Sequence, residues 1–146
     1  MEKKINIGCG QDKLEDFIGI DISPDVNPDI VLDIDNNPLP FEDNEVYEIN
    51  AGCVIEQLDN LVFVMNECFR VLKPGGLMKG YVPSIDPRVL HLDPMDKHFF
   101  QEDSFKYFDK KENAWQQFGF NYGLSGWSYH HTWTNDNGII HFTLTK

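Results

Sequence analysis

The strongest constraint on the fold is a series of short apolar runs in the first half of the chain. They cover residues 4–8, 17–22 and 30–34, and each is closed by Gly, Pro or Asn. Runs this short and this rich in Ile, Val and Leu predict strands buried on both faces, the pattern of a parallel sheet. Two further strands are predicted at 45–51 and 77–82. Parallel neighbours ordinarily need a crossover of about a dozen residues or more, commonly a helix. Only Cys9 to Asp16 separates the first two runs, and Ser23 to Asp29 is short and Pro-containing. The spacing therefore predicts an α/β chain whose first helices are missing. Met1 also leaves no room for a helix ahead of the first strand.

Between the fourth and fifth strands the period changes. Leu61, Val64, Met65, Cys68, Phe69 and Leu72 fall on one helical face, which predicts an amphipathic helix over 59–72. Asp59 or Asn60 is placed to cap it, and Lys73-Pro74-Gly75-Gly76 to end it. A short helix is expected at 102–108. From Trp127 onward the chain alternates, and Asn137-Gly138 marks a β-hairpin. The expectation is a mainly parallel sheet with an antiparallel C-terminal hairpin, built as one domain over residues 1–146.

Twenty-four Asp and Glu against twelve Lys and Arg leave a net charge of −12, and the arginines are Arg70 and Arg88 alone. This balance argues against nucleic acid as a partner, because such binding depends on clustered Lys and Arg. Cys9, Cys53 and Cys68 are too far apart for a Cys-x-x-Cys pair, so neither a disulfide framework nor a metal site is expected. The apolar runs fall well short of the ~20 residues that span a bilayer. With no apolar leader segment, a soluble cytoplasmic protein is expected.

The chemistry-bearing residues lie where the predicted strands end. Gly8-Cys9-Gly10 follows the first strand, and glycines there let backbone approach a ligand. Lys13 stands where a dinucleotide fingerprint has its third glycine, so NAD is not indicated. Asp21, with Ile22 after it, ends the second strand, where a carboxylate can accept from ribose hydroxyls. Asp33 ends the third, placed for an adenine amino group, with the Ile34 amide beside it. Each feature alone is equally well a tight turn or a loop cap.

Six segments in order resemble the class I S-adenosylmethionine-dependent methyltransferases, in particular short bacterial-type members. They are Ile5-Asn6-Ile7-Gly8-Cys9-Gly10, Gly19-Ile20-Asp21-Ile22-Ser23-Pro24, Val31-Leu32-Asp33-Ile34, Pro38-Leu39-Pro40-Phe41-Glu42-Asp43, Ala51-Gly52-Cys53-Val54-Ile55-Glu56-Gln57-Leu58 and Arg70-Val71-Leu72-Lys73-Pro74-Gly75-Gly76. Asp93 to Phe100 resembles a stretch that follows the fifth strand in such proteins, so the likeness spans about 4–108. The resemblance implies a truncated Rossmann-like fold and S-adenosylmethionine as cofactor, with S-adenosylhomocysteine as product. Gly8 and Gly10, with Cys9 between them, would line the methionine part. Asp21 and Ile22 would face the ribose, Asp33 and Ile34 the adenine, and main-chain groups near Asn50 and Ala51 the cofactor's amino group.

Two departures stand out: Asn6 replaces a common acid, and Gln57 replaces a histidine. The resemblance puts the 59–72 and 102–108 helices on one sheet face. The other is then bare, which predicts cover by a second protomer, as in a homodimer or larger homo-oligomer, or by another protein. His98 with Asp96 is the first choice for a catalytic base and His91 a weaker one, against the plain alternative of a turn packed on Phe99 and Phe100. Glu56 is placed to orient an acceptor or the cofactor, or simply to lead into the helix. His130 and His141 are expected to approach each other across the hairpin. The absence of a basic surface and the aromatics after position 99 point to a small-molecule or saccharide-like acceptor. A binding module without activity, a partner subunit of a heteromeric enzyme, or a scaffold with an empty pocket are the alternatives.

Overall fold

The computed structural model describes residues 2–90 and 92–146; His91 lies outside them. Seven strands form one sheet: β1 (Lys3–Ile7), β2 (Ile18–Asp21), β3 (Ile30–Val31), β4 (Val46–Gly52), β5 (Leu72–Pro83), β6 (Tyr129–Thr134) and β7 (Ile139–Thr145). Their order is β3-β2-β1-β4-β5-β7-β6. The first five pair in parallel, and β7 runs antiparallel between β5 and β6. The order reverses at β1 and β4, which makes their carboxyl ends the switch point where open α/β sheets bind ligands.

One α-helix occurs among the described residues, α1 (Leu61–Val71). Its Val64, Met65, Cys68 and Val71 join Ile5, Ile7, Ile49, Met78, Phe142 and Leu144 in a single buried cluster. A 3₁₀ segment, Glu102–Tyr107, seats Phe105 on Phe142 with ring centroids 4.7 Å apart. Trp127 is fully buried and meets Phe69 of α1 edge-on. Helical cover is thus confined to one sheet face. No helix follows the glycine loop, as expected from its length.

The opposite face is polar at its centre. Asn6, Asn50, Lys79 and Thr143 are cross-strand neighbours. Asn50 Nδ2 donates to Asn6 Oδ1 at 2.8 Å, and Lys79 Nζ to Glu48 Oε1 at 2.9 Å. Loop 8–17 returns over this face: Asn6 Nδ2 bonds the Asp12 carbonyl, and Lys4 lies over the Phe17 ring.

Several local expectations are corrected. β3 has two residues rather than five, because the Asp33 side chain closes a turn by accepting from Asp35 N and Asn36 Nδ2. Just before β3, Asp29 Oδ2 satisfies Gly19 N at 2.7 Å. Neither Asp59 nor Asn60 caps α1 with its own side chain. Asp35, in the loop after β3, accepts from Asp59 N at 3.1 Å and Asn60 N at 2.9 Å. Lys73 to Gly76 is taken into β5, which starts at Leu72 with an irregular register. A π-helical turn, Trp115–Gly119, falls where no element was expected.

Replacing Asp35 should therefore expose the helix start. Asp35→Ala is expected to lower unfolding stability by about 1 kcal/mol in urea titration, with Asn60→Ala costing less.

Candidate functional site

Gly8 and Gly10 follow β1 with φ of +60° and +51°. At Gly8 a Cβ would also come 2.6 Å from Val54 Cγ2, so this turn and the one after β4 touch. At Gly10 a Cβ would meet nothing; there the backbone angle is the requirement and the space beyond is open. The loop is fastened from β2: Asp21 Oδ2 accepts from Gly10 N and Oδ1 from Ser23 N, both at 2.9 Å.

Two cavities adjoin at Gly8 and Cys53. The first, about 230 Å³, is lined by Asp21, Ile22, Leu32, Asp33, Ile34 and Leu58 among others. The second, about 600 Å³, takes in Cys9, Gly10, Asn50, Gly52 and Tyr81. The residues expected to hold a cofactor thus converge, with one difference. Ala51 is fully buried and does not line either cavity, because its side chain faces the core beneath β4. Asp33 reaches its cavity while also forming the turn after β3, and among the described residues nothing accepts from the Ile34 amide.

A third pocket, about 180 Å³, opens beside these and is lined by Cys53, Glu56, Gln57, Asp93 and Asp96 with Pro83, Val89, Leu92 and Ile139. Cys53 borders all three and is itself held at φ +50°. Glu56 is only 1% exposed, and its Oε2 has no hydrogen-bond partner. Burial pushes its carboxyl up to about 7, and the charges of Asp96 and Asp93 push the same way. Desolvation by the atoms packed around it, followed by the Glu56 charge, pushes the Cys53 thiol up to about 12. Gln57 Nε2 donates to Asp93 Oδ2 at 3.0 Å.

Asp96 faces this pocket; His98 does not. His98 N bonds the Glu56 carbonyl, its Nε2 lies 2.7 Å from Leu58 O, and its ring borders a separate cavity with Phe100, Tyr107 and Tyr122. His130 and His141 stand apart as well. The register pairs His130 with Leu144 and His141 with Trp133, so the two imidazoles occupy opposite sheet faces. His130 Nδ1 bonds the buried Asp109 at 2.7 Å, and His141 stacks on Trp133 at 4.2 Å. Asp109, Glu112 and His130 bring donor atoms within 4.8 Å of one another. The Asp109 carboxylate there is already occupied by Lys111 N, His130 N and His130 Nδ1.

The family model for the methyltransferase domain matches residues 5–79, just over half of the chain. The chain belongs to this family. Solved structures agree on the fold. An S-adenosylmethionine-dependent methyltransferase from Archaeoglobus fulgidus superposes with a TM-score of 0.70 at 15% identity, over 99% of this chain and 86% of that one. One from Aquifex aeolicus gives 0.67 at 15% identity, covering 99% and 81%. A complex from Haloferax volcanii that contains the Trm112 methyltransferase activator gives 0.68 at 14% identity, covering 99% and 82%. No curated protein matches the sequence. The architecture is the Rossmann-like class I methyltransferase fold, and the family implies use of S-adenosylmethionine.

This methyltransferase's own groups suit that cofactor. Each Asp21 oxygen takes one amide, which leaves acceptor capacity on both for a pair of hydroxyls. The open floor at Gly10 admits an extended chain.

Glu56 gives a pH signature of its own. Its folded pKa of about 7 exceeds the ordinary 4.5, so the folded state holds the proton more tightly. This group's contribution to stability is therefore full below about pH 4.5 and is lost as pH rises towards 7. Glu56→Gln is expected to be more stable than the wild type at pH 8, by on the order of 1–3 kcal/mol, and equal near pH 4.5, by urea denaturation.

Proposed function

We propose that this methyltransferase domain is an active enzyme that binds S-adenosylmethionine across the two cavities joined at Gly8 and Cys53 and methylates a small-molecule acceptor. The observation that carries this reading is the convergence of three cavities on Cys53, two with the cofactor-type donor set and one a separate carboxylate pocket. Bound there, the cofactor supplies an electrophilic methyl group on a sulfonium. Asp21 holds the ribose hydroxyls while fastening the glycine loop, and Ile22 closes that side. Asp33 and the Ile34 amide face the adenine. Gly8, Cys9 and Gly10 border the methionine chain, with the Asn50 side chain and the main chain at Ala51 behind its amino group. Methyl transfer depends mainly on positioning and on excluding water, and these strand ends supply the positioning.

Asp96 is kept as a polar group of the acceptor side, where it faces Glu56 and Gln57. In this reading His98 acts by position. Its amide and ring tie the loop after β5 to the turn after β4, which fixes the wall of the acceptor pocket.

Calorimetric titration with S-adenosylhomocysteine tests the cofactor site. Saturable binding to the wild type, weakened at least about tenfold in Asp21→Ala with an unchanged circular dichroism spectrum, is the expected result. Absence of binding to folded wild-type protein up to millimolar ligand overturns it.

The helix-free sheet face carries the second part of the proposal. Its β6 edge presents Tyr129 and Trp133, 52% and 48% exposed, with His141 between Trp133 and Tyr81. A second copy of the chain, or an activator subunit of the kind in the Haloferax complex, would cover these rings. Light scattering at micromolar concentration should then give at least a dimer; a stable monomer removes the homo-oligomer.

A further inference from the structure

The carboxylate pocket beside Cys53 holds chemistry that cofactor binding leaves unused. A buried carboxylate oxygen with no hydrogen-bond partner is destabilising, yet Glu56 Oε2 is so placed. Around it the pocket gathers Asp93 and Asp96. No Lys or Arg lines it among the described residues. Lys97, next in sequence, pairs with Asp59 at 2.6 Å, and Arg88 with Asp86 at 2.7 Å. Gln57 gives its amide protons to Asp93 and Asp96 and none to Glu56 Oε2. The facing wall of Pro83, Val89 and Ile139 is apolar. Three acids, one of them buried with an oxygen that has no partner, and an apolar wall form a site that is incomplete without a cation carried on an apolar body.

We propose that this pocket is the acceptor subsite and that it takes a protonated amine on a small apolar or aromatic body, its nitrogen seated between Glu56 and Asp96 and turned towards Cys53. The proposal rests on the methyl-transfer reading above and deepens it. A neutral hydroxyl would leave the acidic charge uncompensated. A divalent cation would want six or more oxygen ligands, which the apolar wall cannot give.

The pocket also answers the question of the proton. An ammonium nitrogen has no free lone pair, so one proton must leave before transfer. Glu56, whose carboxyl titrates near 7, accepts it. The freed lone pair forms the nitrogen–carbon bond as the methyl carbon–sulfur bond breaks. Positive charge passes from sulfur to nitrogen, and the proton on Glu56 returns to solvent. The groups facing Glu56 are Cys53 after β4, Tyr81 of β5, and Asp93 and Asp96 of the following loop. All are neutral or anionic, so none competes with the ammonium for its place.

The test uses the full chain saturated with S-adenosylhomocysteine and titrated with benzylamine, with benzyl alcohol as its neutral counterpart. Benzylamine should bind at least tenfold more tightly than the alcohol. Its affinity should rise about tenfold from pH 6 to pH 8 as Glu56 ionises, benzylamine itself staying protonated throughout. Glu56→Gln should lose the preference and the pH dependence while keeping its affinity for S-adenosylhomocysteine. Asp96→Asn, on a surface loop, should weaken benzylamine several-fold and serves if the first variant does not fold. Equal affinity for the amine and the alcohol, or an unchanged preference in the variants, overturns the proposal while leaving the cofactor reading intact. Failure of S-adenosylhomocysteine to bind overturns that reading and takes the acceptor role with it.

Discussion

The clasp between Asp21 and the glycine loop is the interaction on which the ligand-binding end depends. A parallel crossover is normally steadied by its helix, but here loop 8–17 joins β1 to β2 with none. Its backbone must be held by something else, and beside the Asn6 bond to Asp12 O one carboxylate ties it to the next loop, with Gly10 N on one oxygen and Ser23 N on the other. The loops after β1 and β2 are locked together by a single side chain at the switch point of the sheet. Because the same carboxylate faces the cavity, the group that shapes the site is also the group placed to read the ligand.

Loss of the first helices has a second consequence, and the sequence has adapted to it. A parallel sheet with one uncovered face would expose a row of apolar side chains. In the central strands that face instead carries Asn6, Asn50, Glu48 and Lys79, which satisfy one another. Asn6 stands where many relatives of this type were expected to have an acid. An amide at this buried position can both accept from Asn50 and donate to the Asp12 carbonyl, which a carboxylate cannot do. The substitution is explained by the short loop it anchors.

The first strands, and most of the residues that line the two adjoining cavities, were legible because they follow from local signals. Apolar runs set β1, β2 and β4, turn residues set their ends, and the short spacings excluded helices. What could not be read depends on groups distant in sequence. Asp35 caps α1 from more than twenty positions away. His98 was chosen for its chemistry, yet its ring goes to the Leu58 carbonyl, a partner that no spacing rule supplies. The histidines of the hairpin share a strand pair but not a face, because their parity relative to the β6–β7 register depends on which residues form the turn. The importance of Glu56 came from burial and a missing partner, neither of which a sequence shows.

Gln57 ties these threads together. A histidine at this position could take a proton itself; glutamine cannot, and it spends its amide protons on Asp93 and Asp96. That choice neutralises nothing, so the pocket stays acidic, and in the preceding residue, Glu56, burial pushes the carboxyl up to about 7. The strained turn at Cys53 then has a purpose. A non-glycine residue at φ +50° costs on the order of 1–3 kcal/mol. It sends the chain back so that Val54 seals against Gly8, while Glu56 lines the acidic pocket. All three cavities thereby meet at one short turn, with Cys53 in the lining of each.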